Sequence, residues 1–338
     1  MSSQSTIHTQ IDYERRGKQV GHLFLPQSPH EDAWGTIPIP IAVIRNGSGP
    51  TVLITGGNHG DEYEGPIIIA RLIRELDPGA VQGRLILLPQ LNRPAALAGR
   101  RTSPVDGKNF NRCFPGNPEG TATEQIAFYV SHVLFPLADA FMDLHSGGSS
   151  LQILPSAIIE PAPEPVQMRR IVAAVRAFDA PWTVAIDNLG DPRTSTVAAV
   201  RAGLTVVGTE LTGGGGVSRE GVRVGERGVR NVLYHLGVLE SGEPAPSGAA
   251  KPVFQIPGPP GYVYAPADGV FEAWHDLGDR VEAGQPAGAI HFLDDPGRPP
   301  ELARFACTGT LYARRSFGRV ARGNCVSVVI TETLQPES

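Results

Sequence analysis

At 338 residues the chain is long for one domain and can bury a substantial core. Hydrophobic residues at 41%, charged residues at 19% and a net charge of −5 describe an ordinary globular protein and argue against nucleic-acid or anionic-membrane partners. Cys113, Cys307 and Cys325 are too few and too scattered for a disulfide framework or a thiolate zinc site.

No apolar run approaches the roughly 20 residues needed to cross a bilayer. The polar opening MSSQSTIHTQIDYERRGK lacks the apolar centre of a secretory leader, so the expected compartment is the cytoplasm. Along the chain, QVGHLFL (19–25) and IPIPIAVI (37–44) read as strands bounded by Pro and Gly. TVLIT (51–55) is a third strand, and it runs into GGNHGDEYEG (56–65). A helix is predicted over about 64–76, with Ile67, Ile68, Leu72, Ile73 and Leu76 on its buried face. RLILLPQL (84–91) has the continuous apolar character of a strand buried on both faces. Strand, helix and strand at this spacing predict a βαβ unit in an α/β fold with a mixed, largely parallel sheet flanked by helices.

Residues 92–120 show little periodicity and concentrate Arg100, Arg101, Asn109, Asn111 and Arg112. A structureless stretch of this length in a compact domain is usually functional. A helix follows at 121–136, opened by Thr121 or Thr123 with Glu124 in its first turn. ADAFMDLH is a strand ending at His145. A helix at 164–178, a strand near 182–186, a strand at 203–211 carrying Glu210 and a helix at 225–239 complete this part. The composition then turns to ESGEPAPSGAAKPVFQIPGPPG, read as a linker or irregular connection. We place a catalytic domain at 1–245, with the linker and a small all-β domain at 246–338.

Chemistry collects at the strand ends. In open α/β sheets ligands bind beyond the carboxyl ends of the strands, where residues distant in sequence converge. His59, Glu62 and His145 make a His₂Glu set, one of the ligand sets of hydrolytic zinc. Glu210, beside GGGG, is suited to move a proton from an attacking water to a leaving nitrogen. One arginine near such a centre could stabilise an oxyanion and another could grip a substrate carboxylate. Taken singly, each residue has a plainer reading, as a strand-end His, a terminal carboxylate or a solvated basic loop. Cys113 reads as structural, and GGGG lacks the Lys-Ser/Thr of a phosphate loop.

GGNHGDEYEG, NFNR, DLHSGG and TEL, in this order, resemble the succinylglutamate desuccinylase/aspartoacylase family, a branch of the zinc carboxypeptidase-like hydrolases. The resemblance implies one zinc ion per chain, held by His59, Glu62 and His145, and Glu210 as general acid/base. It implies that Arg101, with Arg100 beside it as the alternative, polarises the scissile carbonyl. Asn111 and Arg112 would grip the substrate carboxylate. The implied activity is removal of an acyl group, acetyl foremost, from a small N-acyl amino acid. A carboxypeptidase-like peptidase and a non-catalytic binding module are the alternatives. The implied partner is a small molecule, and a homo-oligomer such as a dimer is compatible.

VYAPADGVFEAWHDLGDRVEAGQPAGAI resembles a biotinyl/lipoyl-type barrel sandwich. The hairpin that would carry the modified lysine reads AIHFLDDPG, and Lys251 is the last lysine in the chain. This domain is therefore expected to shape the mouth of the site or an oligomer interface, with His275 and His291 structural.

Overall fold

A computed structural model describes residues 5–240 and 251–333. The boundary expected at 245/246 lies outside the described residues. The chain builds a 15-stranded mixed sheet and a separate 4-stranded antiparallel sheet. Strands β1 (Gly17–Pro26) and β2 (Thr36–Asn46) form an antiparallel ribbon that joins β4 (Gly83–Leu88). Next come β3 (Thr51–Gly56), β5 (Ala140–His145) and β9 (Thr205–Glu210), all parallel to one another and to β4. Every residue of β3, β4 and β5 is buried, as a continuous apolar strand between two covered faces must be.

The expectation of a largely parallel sheet holds for these central strands. Both flanks are mainly antiparallel. Beyond β9 lie β7 (Ser156–Ile159), antiparallel to it, then β8 (Trp182–Ala185) and β10 (Val253–Gln255) in parallel. The sheet continues without a break into β12 (Cys325–Glu332) and β11 (Gly309–Arg315). Strand β10 falls inside the stretch read as an irregular linker. A further strand, β6 (Leu151–Ile153), pairs with β11.

Helix α6 (Arg219–His235) packs on α1 (Glu64–Glu75) and α4 (Pro165–Phe178), and these two pack on the sheet. The buried side chains of α1 include Ile68, Ile69 and Leu72. The loop at 92–120 holds one short helix, α2 (Arg93–Ala98), and a tight helical turn at Phe110–Arg112. Helix α3 (Ala122–Tyr129) is capped by Thr121, whose backbone N–H donates to Glu124 at 2.8 Å in a capping box. Helix α5 (Ser195–Arg201) rests on β9 and β5. No described helix is long and apolar enough to cross a membrane.

The 4-stranded sheet runs Glu301–Arg304, Pro286–His291, Gly269–Ala273, Arg319–Val320. It closes with β11 and β12 over Phe271, Ile290, Phe305, Leu311 and Val329. His275 there bonds the Pro286 carbonyl at 2.9 Å, and His291 pairs with Glu272 at 2.9 Å.

Candidate metal centre and active site

The order β4–β3–β5–β9 places a topological switch point beside β3. The chain leaves β3 through α1 to β4 on one side, and later returns to β5 on the other. At such a point the carboxyl ends of neighbouring strands open a crevice. Register does the rest. Gly56, the last residue of β3, pairs with Leu144, and Glu210 pairs directly with His145. Three strand ends thus deliver His59, His145 and Glu210 to one place.

The turn after β3 is held tightly. Gly60 donates its N–H to the Arg100 carbonyl at 2.9 Å, and a Cβ on Gly60 would lie 2.0 Å from the backbone of Ala95 in α2. Only glycine lets the turn approach α2 this closely. Glu62 sits just before α1, so its carboxylate turns back toward the two histidines.

Glu62 bridges both rings. Its Oε1 lies 2.6 Å from His59 Nδ1 and its Oε2 lies 2.8 Å from His145 Nδ1. The outer nitrogens also face oxygens: His59 Nε2 reaches Asn109 Oδ1 at 3.0 Å, and His145 Nε2 reaches Asp143 Oδ2 at 3.0 Å. A neutral imidazole carries one N–H and cannot satisfy acceptors at both nitrogens. If each Nε2 donates outward, both Nδ1 lone pairs face the Glu62 carboxylate, and the centre requires a positive charge. A divalent cation meets that need. One ligand atom from each residue lies within 4.8 Å of the others, and all three residues are buried. The outward bonds are the ones that orient metal-ligating imidazoles.

The electrostatics agree. Burial raises Glu62, but the two imidazoles outweigh it and hold its carboxyl well below the usual range. Burial lowers His59 below its ordinary value, which favours the neutral ligand form. For His145, burial also lowers the pKa, but Asp143 and Glu62 outweigh it and hold it well above normal. Two carboxylates against one ring favour positive charge there, which a proton on the ring or a cation beside it supplies.

All seven residues expected in the site line one cavity of about 330 Å³: His59, Glu62, Arg101, Asn111, Arg112, His145 and Glu210. Arg101 Nη1 lies 3.6 Å from Glu62 Oε1, whereas Arg100 contributes only its backbone to the turn. Of the two arginines, Arg101 is the one that lines the cavity. Asn111 uses its Oδ1 to accept from the Ser195 backbone N–H at 2.8 Å, leaving the amide nitrogen for a ligand. Arg112 Nε is paired with Asp191 at 3.0 Å, and an incoming carboxylate would have to share it.

Glu210 Oε2 is buried and has no hydrogen-bond partner among the described residues. Burial first, and the nearby Glu62 next, push its carboxyl up to about 8. A cation at the adjacent centre would oppose both effects and favour the carboxylate. Cys113 donates to the Asn109 carbonyl, and burial pushes its thiol up to about 11, consistent with a structural role.

Sequence reasoning missed Asp143, the partner of His145. Asp143 also accepts from Thr55 Oγ1 at 2.8 Å, from Asn58 Nδ2 at 3.0 Å and from Ser195 Oγ. Its place two residues before His145 was a readable signal, because alternate strand residues share a face. Glu160 and Thr196, which also line the cavity, were not anticipated.

A model of the succinylglutamate desuccinylase/aspartoacylase catalytic domain matches residues 48–236. The chain is 41% identical over 325 residues to an N-alpha-acetyl-L-2,4-diaminobutyric acid deacetylase of Halomonas elongata, covering 96% of this chain and 95% of that one. A succinylglutamate desuccinylase/aspartoacylase structure from Rhodobacter sphaeroides superposes with a TM-score of 0.92 at 41% identity, covering 98% of this chain and 100% of that chain. The product-bound ectoine utilization protein EutE (DoeB) of Ruegeria pomeroyi superposes with a TM-score of 0.92 at 38% identity, covering 97% and 99% of the two chains.

Proposed function

The chain belongs to the succinylglutamate desuccinylase/aspartoacylase family, and from that premise we propose that it is a zinc-dependent deacetylase of small N-acetyl amino acids. It is a hydrolase of amide bonds. Its substrate is N-alpha-acetyl-L-2,4-diaminobutyrate, which it converts to L-2,4-diaminobutyrate and acetate in ectoine breakdown. Two relatives support this choice: the deacetylase sharing 41% identity and the ectoine utilization protein sharing 38%.

The observation that carries the reading is the single cavity in which Glu62 joins two imidazoles and Glu210 stands unpartnered beside them. His59, Glu62 and His145 would hold one zinc ion. Bound there, zinc would supply Lewis acidity that lets an attacking water give up a proton near neutral pH. Glu210 takes a proton as the water oxygen bonds to the acetyl carbon, and returns it to the nitrogen as the C–N bond breaks. Arg101 pairs with the negative charge that develops on the carbonyl oxygen. Asn111 and Arg112 hold the α-carboxylate, which sits next to the scissile amide in an α-acetamido acid.

The fold belongs to the zinc carboxypeptidase-like class in this reading. The division at about residue 245 separates the catalytic unit from a C-terminal barrel sandwich without a carrier lysine. No residue from 251 onward lines the cavity among those described. The C-terminal unit instead backs its wall: β11 pairs with β6, and Leu151 and Ile153 of β6 line the cavity.

A screen for the released acid, acetate from the acetyl substrates and succinate from succinylglutamate, tests the activity. It compares the α-acetyl and γ-acetyl isomers of diaminobutyrate with N-acetylaspartate and succinylglutamate, with metal content measured on the same preparation. The α-acetyl isomer should be the preferred substrate and zinc should be present at about one ion per chain. Preference for either acidic substrate, or full activity in metal-free protein, would overturn the assignment.

A further inference from the structure

One acid in the cavity has no part in the chemistry above. Glu160 directly follows β7 and is only 4% exposed, yet it lines the same cavity as Glu62 and Glu210. Its one hydrogen bond among the described residues comes from Thr196 Oγ1, which donates to Oε2 at 2.7 Å. No Lys, Arg or His nitrogen of a described residue forms an ion pair with it within 4.0 Å. Of the other buried carboxylates, Glu210 also has an unpartnered oxygen but serves the chemistry above, while Asp61 and Glu64, each with one unpartnered oxygen among the described residues, lie outside the cavity lining. Glu62 and Asp143 each meet histidine, and Glu64 accepts from Thr212 Oγ1 at 2.9 Å and the Ser218 backbone at 3.0 Å. Burying a carboxylate with one hydroxyl for company is costly unless a cation joins it.

Gly208 lines the cavity together with Glu160. Gly208 pairs with Ile158 across β9 and β7, and a Cβ on it would lie 3.3 Å from Ile158 Cβ and 3.8 Å from Thr196 Cγ2. The missing side chain leaves room between the catalytic Glu210 and the acid. From these placements we propose that Glu160 is the residue that selects the substrate's side chain, its carboxylate receiving the ammonium group of an α-N-acetylated diamino acid.

This assignment rests on the deacetylase reading and adds what that reading lacks, a group to recognise the second amine. Burial pushes the Glu160 carboxyl up to about 7, the Thr196 hydrogen bond opposes this, and Asp187 nearby adds to it. A substrate ammonium would reverse that upward push by favouring the ionised form. The same charge repels side-chain carboxylates. Glu160 thereby discriminates against substrates with acidic side chains, and specificity of this kind depends on the repulsive contact as much as the attractive one.

The test measures kcat/KM for the wild type and Glu160→Gln on three zinc-loaded reactions. The substrates are N-alpha-acetyl-2,4-diaminobutyrate, N-acetyl-2-aminobutyrate, which lacks only the amine, and N-acetylaspartate. The wild type should favour the cationic substrate. Glu160→Gln should lose about 30-fold or more on it, chiefly through KM, because one partner of a buried charge pair is removed. It should lose far less on the neutral substrate and gain on the anionic one. A wild type that favours the neutral or anionic substrate sinks the diaminobutyrate assignment, and this proposal with it. A wild type that favours the cation while Glu160→Gln keeps that preference overturns Glu160 alone. If Glu160→Gln fails on all three, Glu160→Asp decides: loss confined to the cationic substrate supports the assignment, and equal loss on all three refutes it.

Discussion

Asp143 gathers four donors at one buried carboxylate: Thr55, Asn58, Ser195 and His145. The first comes from β3, the second from the turn after it, the third from the start of α5, and the fourth from its own strand. Burial raises its pKa, but His145 and the other donors outweigh this and keep it below the usual carboxylate range. An Asp143→Asn variant would offer one acceptor where two now serve these donors, and would free His145 to turn. Its zinc affinity should fall by about 10–100-fold, read by competition with a chromophoric chelator. Unchanged affinity would mean that the ring is fixed by something else. At Glu210 the expectation is the opposite split. Glu210→Gln should retain zinc while kcat falls by about 10²–10⁴, because only the proton carrier is removed. Near-normal kcat with bound metal would show that another group moves the proton. These two residues also mark how far the site was legible in the sequence. His59, Glu62, His145 and Glu210 stand at strand ends beside glycines, where reactive groups belong, so type and spacing exposed them. Asp143 and Asn109 act through the histidines and lack a signature as ligands. Glu160 stayed hidden because SAII, the strand before it, follows Pro155 and is only four residues long.

The elements that position the site are short, and this decides which of them periodicity could reveal. Helix α1 has 12 residues and α4 has 14, long enough for an apolar face to repeat. Helix α2 has 6 and α5 has 7, less than two full turns each. Their signals are local instead: Pro94 near the start of α2, and Thr194, whose Oγ1 accepts from Val197 N at 3.2 Å, at the start of α5. Such caps were present in the sequence but sat in a stretch dominated by Arg, Asn and Gly. The same scale explains the turn at His59. It is fixed by contact with α2, not by its own hydrogen bonds alone. Gly60→Ala would drive a methyl to within 2.0 Å of the Ala95 backbone, which cannot move aside as a side-chain tip can. Overpacking of this kind costs about 1–3 kcal/mol. Urea unfolding should show a matching fall in the midpoint at constant slope, along with weaker metal binding as His59 shifts. A stability within about 0.5 kcal/mol of the wild type, the range of a neutral surface change, would count against this packing.

Across the whole molecule the sheet does not respect the division that composition suggests. The change to a Pro/Gly/Ala-rich sequence near residue 240 is real, yet β10 lies within it and carries the sheet from β8 to β12. A linker signal marks where the chain stops making helices and says nothing of where its hydrogen bonds go. Burial follows the same continuity. Ile153, Ile158 and Val184, from the N-terminal part, are enclosed with Tyr312, Val328 and Ile330 in one apolar cluster. Tyr312 and Ser156 also share a 2.6 Å hydrogen bond across this contact. Ending the chain at residue 240 would expose all three aliphatic side chains and leave β8 as a bare edge beside the cavity wall. At about 1.5–3 kcal/mol for each aliphatic side chain, the loss is roughly 5–9 kcal/mol, against a total stability of about 5–15 kcal/mol for a typical domain. An uncovered apolar edge strand also invites pairing between chains. A 1–240 fragment is therefore expected to be poorly soluble and without zinc-dependent activity, even though every residue of the cavity is present. Expression followed by size-exclusion chromatography and acetate release checks this. A monodisperse fragment turning over at the full-length rate would show that the C-terminal strands are dispensable to the site.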